Sequence, residues 1–60
     1  MKNWVTLDYD PGWKAEAWAR AHCPTYITNT GDAVEMKIKY YFSMTEQGQQ
    51  EMLLFAIRWA

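Results

Sequence analysis

The sequence predicts a small α+β domain with the element order β-α-β-β-α. Three observations predict it: an alternating segment at the amino end, an alanine-rich segment with helical spacing, and two more alternating runs followed by a long apolar segment. Sixty residues without a repeat or linker indicate a single compact domain, residues 1–60. Such a domain buries only about 60% of the surface that its unfolded chain exposes. Four Trp, four Tyr and two Phe are therefore expected to supply much of the core.

The segment WVTLDYDPGW contains the first strand and the start of the first helix. Apolar and polar residues alternate along its first half, which is the period of a half-buried strand. Three residues are predicted to share the outer face of this strand: Trp4, Thr6 and Asp8. Asp8 and Asp10 have the spacing of two calcium ligands, but the later acidic ligands of a calcium loop are missing. Asp10 is therefore predicted to be a helix N-cap.

The alanine-rich segment GWKAEAWARAH is predicted to be the first helix. Glu16 and Arg20 have the i, i+4 spacing of a surface ion pair. Pro24 ends the helix, because the residue before a proline disfavours helical backbone angles. Helical spacing places three residues on one face, with Trp18 at its flank: Trp13, Ala17 and Ala21.

Two alternating runs on either side of Gly31 and Asp32 predict a β-hairpin with a two-residue turn. The predicted pairs are Thr30 with Ala33, Thr28 with Glu35, Ile27 with Met36, and Tyr26 with Lys37. This register is favoured because it sorts the apolar residues to one face: Ile27, Val34, Met36, Ile38, Tyr40 and Phe42. The strand over about residues 33–43 is longer than its partner, so it is predicted to be central, with the first strand along its free half.

The last segment, SMTEQGQQEMLLFAIRWA, is predicted to be a helix capped by Ser43 or Thr45. Gly48 is expected to weaken its first turns by roughly 1 kcal/mol relative to alanine. The predicted inner stripe is Met52, Phe55, Ala56 and Trp59. A second apolar group extends beyond this stripe and predicts a contact surface, such as a homo-oligomer interface through the C-terminal helix: Leu53, Leu54 and Ile57.

Both helices are predicted to lie on one face of a three-stranded antiparallel sheet, because connections of this length cross over right-handedly. The rest of the chain leaves the other face uncovered. Its mixture of aromatic and charged residues is typical of a protein interface. The predicted partner-binding residues are Trp4, Asp8, Tyr26, Glu35 and Tyr41. An alternative is a single-stranded nucleic-acid site on the same face, formed by Lys37, Lys39 and Tyr41.

Charge and composition narrow the classes of function. Six Lys or Arg stand against seven Asp or Glu, so the basic excess of a typical nucleic-acid binder is absent. His22 has no nucleophile or carboxylate near it in sequence, and Cys23 is the single cysteine. Both are interpreted as packing residues at a helix end, and neither an enzymatic activity nor a metal or cofactor site is predicted.

The location expected from the sequence is the cytoplasm. No secretory signal or transmembrane segment is recognisable, and MLLFAIRWA is too short and contains Arg58. A lone cysteine suits a reducing compartment. No association with a membrane is expected.

A very short, aromatic-rich α+β domain without a catalytic constellation resembles the small phage-encoded anti-CRISPR proteins. The resemblance covers the whole chain in size, composition and compact build rather than in a motif. It implies a stoichiometric inhibitor that binds a Cas effector in the host bacterium, such as a Cascade-type complex, and blocks target DNA recognition. Anti-CRISPR proteins share no common functional residues, so the resemblance assigns no role to any position here.

Overall fold

The computed structural model describes residues 3–60 and confirms the predicted order of elements. The strands are β1 (Trp4–Leu7), β2 (Tyr26–Asp32) and β3 (Lys37–Phe42), and the helices are α1 (Trp13–His22) and α2 (Glu46–Trp59). The strands form an antiparallel sheet in the order β1-β3-β2, so β3 is central as predicted.

Aromatic side chains fill the core between the helices and one face of the sheet. Phe55 of α2 is fully buried, and its ring centroid lies 4.8 Å from that of Tyr40 and 5.6 Å from that of Phe42. Trp18 of α1 contacts the same ring at 6.1 Å. The other buried hydrophobic residues are Val5, Leu7, Ala15, Ala19 and Cys23. Both helices therefore pack on the same face of the sheet, as predicted.

The connection between β2 and β3 differs from the predicted two-residue turn. Strand β2 continues to Asp32, and the turn is Ala33–Met36. Asp32 stabilises it, because its Oδ1 accepts hydrogen bonds from the N–H groups of Val34 at 3.0 Å and Glu35 at 3.1 Å. Met36 ends the turn at φ 59°, a left-handed conformation that residues other than glycine rarely adopt.

The register of the hairpin consequently differs from the prediction. Thr28 pairs with Tyr41, which lies six residues beyond the predicted partner Glu35. The pairs predicted for Thr30, Ile27 and Tyr26 are wrong as well, because the turn begins two residues later than predicted and is two residues longer. Strand β3 starts at Lys37 rather than near residue 33.

A bulge interrupts the start of β2. Tyr26 pairs with Phe42 but Thr28 pairs with Tyr41, so Ile27 is an extra residue in the ladder. The bulge and the longer turn remove three residues from the predicted inner set and leave them exposed to solvent: Ile27 by 59%, Val34 by 93% and Met36 by 76%.

The segment before α1 forms a turn that is stabilised by Asp10. Its Oδ1 accepts a hydrogen bond from the Gly12 N–H at 2.8 Å. Gly12, at φ 72°, is the N-cap residue, and within residues 3–60 no side chain caps the helix. The prediction that Asp10 is the N-cap is therefore wrong, because its carboxylate bonds to the N–H of the N-cap residue and not to an N–H of the first helical turn.

Helix α1 buries a face other than the one that carries Trp13. Ala15 and Ala19 are fully buried, whereas Trp13 is 73% exposed. Two alanines one turn apart allow the helix to approach the core closely, which a face with a tryptophan would prevent. The other two residues of that face, Ala17 and Ala21, are exposed as well. The ion pair between Glu16 and Arg20 is confirmed, with an N–O distance of 2.9 Å.

Helix α2 begins where three chain segments meet. Thr45 caps it, since its Oγ1 accepts a hydrogen bond from the Gly48 N–H at 3.0 Å. Buried Asn3 donates from Nδ2 to the main-chain oxygens of Ser43 at 2.7 Å and Thr45 at 3.1 Å. A Cβ atom on Gly48 would lie 1.9 Å from the Ser43 oxygen. Gly48 is thus required for this close approach.

Glu51 connects α2 to the segment between α1 and β2. One carboxylate oxygen accepts hydrogen bonds from the N–H and hydroxyl of Thr25, and the other accepts from Gln47 Nε2 at 2.8 Å. Burial raises the pKa of Glu51, but these hydrogen bonds outweigh it and hold the pKa below its ordinary value. The buried carboxylate is therefore ionised and fully partnered at neutral pH.

Gly48→Ala should destabilise the protein, although alanine is the better helix former by about 1 kcal/mol. The added methyl group collides with the Ser43 carbonyl, and the backbone shift should cost about 1–3 kcal/mol. Urea unfolding measures the change. Gln50→Ala, at an exposed position of the same helix, is the control and should change stability little. A stabilised Gly48→Ala variant would contradict the packing described.

Glu51→Gln should make the free energy of unfolding less dependent on pH in the acid range. Because the pKa of Glu51 is depressed on folding, its contribution is complete above the ordinary value of 4.5 and is lost as pH falls through the lower folded-state pKa. The free energy of unfolding, measured by urea from neutral pH to about pH 3, should therefore fall less in this variant than in the wild type. Equal slopes for the variant and the wild type would refute the assignment.

Candidate functional site

The sheet face opposite the helices is not covered by any other part of residues 3–60. The residues of this surface, called the open face below, are Trp4, Thr6, Thr28, Thr30, Asp32, Lys37, Lys39 and Tyr41. Paired residues of neighbouring strands share a face. Tyr41 of the central strand therefore lies between Trp4 and Thr28.

Two aromatic rings and an ammonium group form the middle of the open face. The ring centroids of Trp4 and Tyr41 are 5.9 Å apart, with an interplanar angle of 56°. The Lys39 Nζ lies 5.6 Å from the Trp4 ring centroid, within the range of a cation–π interaction. Both aromatic side chains are half-buried, so each keeps a solvent-facing surface while its position is fixed by its neighbours.

Charges of both signs border the aromatic pair. Lys37 Nζ lies 3.6 Å from Glu35 Oε2, and the side chains of the pair are 47% and 61% exposed. Asp32 is opposite Lys37 on the neighbouring strand. Two lysines are thus balanced by two carboxylates. A shallow groove of about 570 Å³ runs between them and Tyr41.

Tyr26 is not on the open face, so this part of the sequence prediction is wrong. The bulge at Ile27 turns Tyr26 to the helix side, where its ring lies 5.8 Å from that of Phe42. The Arg20 guanidinium lies 5.5 Å from the Tyr26 centroid, and Asn29 Nδ2 donates to the Tyr26 hydroxyl at 2.6 Å. These contacts give Tyr26 a structural role at the edge of the core.

Glu35 and Asp8 lie at the border of the open face rather than on it. Glu35 was predicted to belong to the third strand, but it lies in the turn before β3. Its carboxylate still lines the groove beside Lys37. Asp8 is exposed and follows the last residue of β1. It lines a second groove of about 400 Å³ together with Tyr9 and Met36.

The three residues of the alternative nucleic-acid site lie side by side on the open face. Lys37, Lys39 and Tyr41 are alternate residues of β3 and all lie on the open face. The structure adds Asp32 and Thr30 to this surface. Asp32 was not predicted here because Gly31 and Asp32 have the composition of a two-residue turn, although a position two residues after Thr30 is compatible with continued strand alternation.

His22 and Cys23 end α1 as packing residues. The exposed His22 ring stacks on Trp18 with a centroid distance of 4.9 Å. Cys23 is buried, and its Sγ lies 3.8 Å from the main-chain oxygen of Glu51. Burial raises the pKa of the Cys23 thiol, and the charge of Glu51 raises it further. A shielded, protonated thiol is a poor nucleophile.

Within residues 3–60, no three His, Cys, Asp or Glu side chains are grouped so that they could hold a metal ion. The helices in the same range are too short or too polar to span a bilayer.

The fold and the open face define a small α+β domain with a three-stranded sheet that is covered on one side only. Compared with protein-family models, with curated proteins and with solved structures, the chain matches none. Its function is therefore argued from the open face itself.

Proposed function

We propose that this chain is a non-enzymatic protein-binding domain that uses the open face. The observation that carries the proposal is the contact between Trp4 and Tyr41 on a sheet face that no other part of residues 3–60 covers. Tryptophan and tyrosine dominate the binding energy of protein interfaces, since each buries a large area with little loss of side-chain freedom. The surrounding lysines, carboxylates and threonines supply the polar rim of such an interface.

The balance of charge favours a protein partner over a nucleic acid. A surface that grips phosphates needs cations without nearby carboxylates, because its affinity comes from neutralising the backbone charge. On the open face Lys37 is paired with Glu35, and Asp32 lies opposite it. Lys39 lies over the Trp4 ring. This mixture suits a partner surface that carries both signs of charge.

The class of partner follows from the resemblance to anti-CRISPR proteins. We propose a stoichiometric inhibitor that seats the open face on a Cas effector of the Cascade type and blocks its recognition of target DNA. A domain of 7.1 kDa can act in this way only by occupying a surface that the effector needs, since it has little bulk with which to obstruct DNA from a distance.

The double variant Trp4→Ala with Tyr41→Ala should lose inhibition while remaining folded. Gel-shift assays of a purified Cascade-type effector with its target duplex measure the inhibitor concentration needed to block binding. If each of the two residues contributes about 2 kcal/mol to the binding free energy, the inhibitor concentration needed to block binding should rise at least about 100-fold. Trp13→Ala is the matched control, because this tryptophan is exposed on α1, away from the open face. Inhibition within twofold of wild type by a folded double variant would show that the open face is the wrong surface.

A second candidate function is single-stranded nucleic-acid binding. The observation that favours it is the shared face of Lys37, Lys39 and Tyr41, with Trp4 beside Tyr41 as a second stacking ring. Fluorescence anisotropy with a labelled oligonucleotide should then show binding that weakens as salt rises. Lys37→Gln with Lys39→Gln should reduce both the affinity and its salt dependence. Absence of binding at low salt would exclude this function.

The outer surface of α2 provides a third candidate contact. Leu53, Leu54 and Ile57 are exposed by 52%, 49% and 84%. Exposed apolar side chains at this helical spacing are suited to packing against another helix. A homo-oligomer through α2 stays a prediction.

A further inference from the structure

Strand β2 has a free edge with outward-facing main-chain groups. Among residues 3–60 it pairs only with β3. The Phe42 N–H donates to Asn3 on the β1 side, and the Ser43 N–H donates to Thr25 on the β2 side. The main-chain N–H and C=O groups of successive residues in an antiparallel strand point to opposite sides. The main-chain groups of the odd-numbered residues of β3 therefore form hydrogen bonds with β2. Thr30 and Asp32 pair with odd-numbered residues.

The main-chain groups of Asn29 and Gly31 consequently point away from β3. Each offers one N–H and one C=O group to whatever lies beside the edge. The segment YITNTGD contains neither lysine nor proline, the residues with which proteins commonly block edge pairing. Asp32, at its end, is the single charged residue of the strand. The edge between Thr28 and Asp32 is therefore open to a further strand.

We propose that β2 pairs antiparallel with β2 of a second copy of this chain, on a two-fold axis at Thr30. Asn29 of each copy then faces Gly31 of the other, and the two symmetric pairs form four main-chain hydrogen bonds. Thr30 of each copy lies beside its counterpart on the open face, a favourable cross-strand pair. Two three-stranded sheets become one of six strands.

The charges favour a second copy in this orientation. Antiparallel pairing separates the two Asp32 carboxylates, which parallel pairing would place side by side. Each Asp32 then lies opposite the uncharged Thr28 of the other copy, so no like charges meet across the edge. The main-chain groups match as well, because the outward N–H and C=O groups of Asn29 meet those of Gly31 from the other copy.

Pairing would also join the two open faces into one surface. The Trp4 and Tyr41 contact lies at the other side of each sheet from the β2 edge. A dimer therefore presents two aromatic patches separated by a central strip of threonines. Its formation leaves both patches uncovered, so dimerisation is compatible with partner binding and independent of it.

Gly31→Pro and Gly31→Ala form the matched test of this proposal. Proline removes an N–H that faces the free edge, where proline is tolerated within a sheet. Alanine keeps the N–H, and its Cβ would meet no atom within 4 Å. Sedimentation equilibrium over a concentration series should show wild type and Gly31→Ala passing from monomer to dimer together. Gly31→Pro, with its fold checked by circular dichroism, should remain monomeric to at least about tenfold higher concentration.

Variants at Thr30 and Ile57 test the β2 dimer independently, in case Gly31→Pro fails to fold. Thr30→Lys places two ammonium groups face to face on the axis and should also prevent dimerisation, whereas Thr30→Val should not. Ile57→Gln, on the outer surface of α2, should leave the dimer unchanged. The proposal is overturned if wild type is monomeric throughout, if Gly31→Pro or Thr30→Lys dimerises like wild type, or if only Ile57→Gln abolishes the dimer.

Discussion

The ring of Phe55 is the contact on which the rest of the structure depends. It is fully buried and touches aromatic rings from β3, α1 and its own helix, with centroid distances from 4.8 to 6.4 Å. A chain of 60 residues has room for few buried side chains, so each must bury a large area. One phenylalanine that contacts three elements does this in place of several aliphatic residues. The small side chains of Ala15 and Ala19 let α1 approach this ring. Gly48 and Glu51 fix the position of α2 behind it.

This core explains why the opposite side of the sheet has its particular composition. Successive residues of a strand point to opposite faces, so β3 sends Tyr40 and Phe42 to the core and Tyr41 to the open face. The first strand likewise buries its aliphatic residues and leaves Trp4 outside. Covering both faces would require a third helix. The aromatic residues of the open face thus serve no packing need of the core, which is the physical basis for assigning them to a partner.

The element order, the central strand and most of the open face could be predicted because strand alternation determines them. Moving the partner of Thr28 from Glu35 to Tyr41 is a shift by an even number of residues, which preserves the faces of Lys37, Lys39 and Tyr41. The bulge at Ile27 is an odd shift and reverses Tyr26. Neither the bulge nor the left-handed Met36 has a local signal, since glycine or asparagine usually marks such a turn. Helical spacing alone does not show which face of α1 is buried; the face with Ala15 and Ala19 packs on the core, and Trp13 is exposed.

The most direct test of the account is position-specific photocrosslinking. A benzoylphenylalanine replaces Thr6 on the open face, Trp13 on α1 or Ile57 on α2 in three otherwise identical proteins, each irradiated with a purified Cascade-type effector. A covalent product with an effector subunit is expected from position 6 and none from position 13 or 57. A product from position 57 or 13 without one from position 6 would contradict the assignment of binding to the open face.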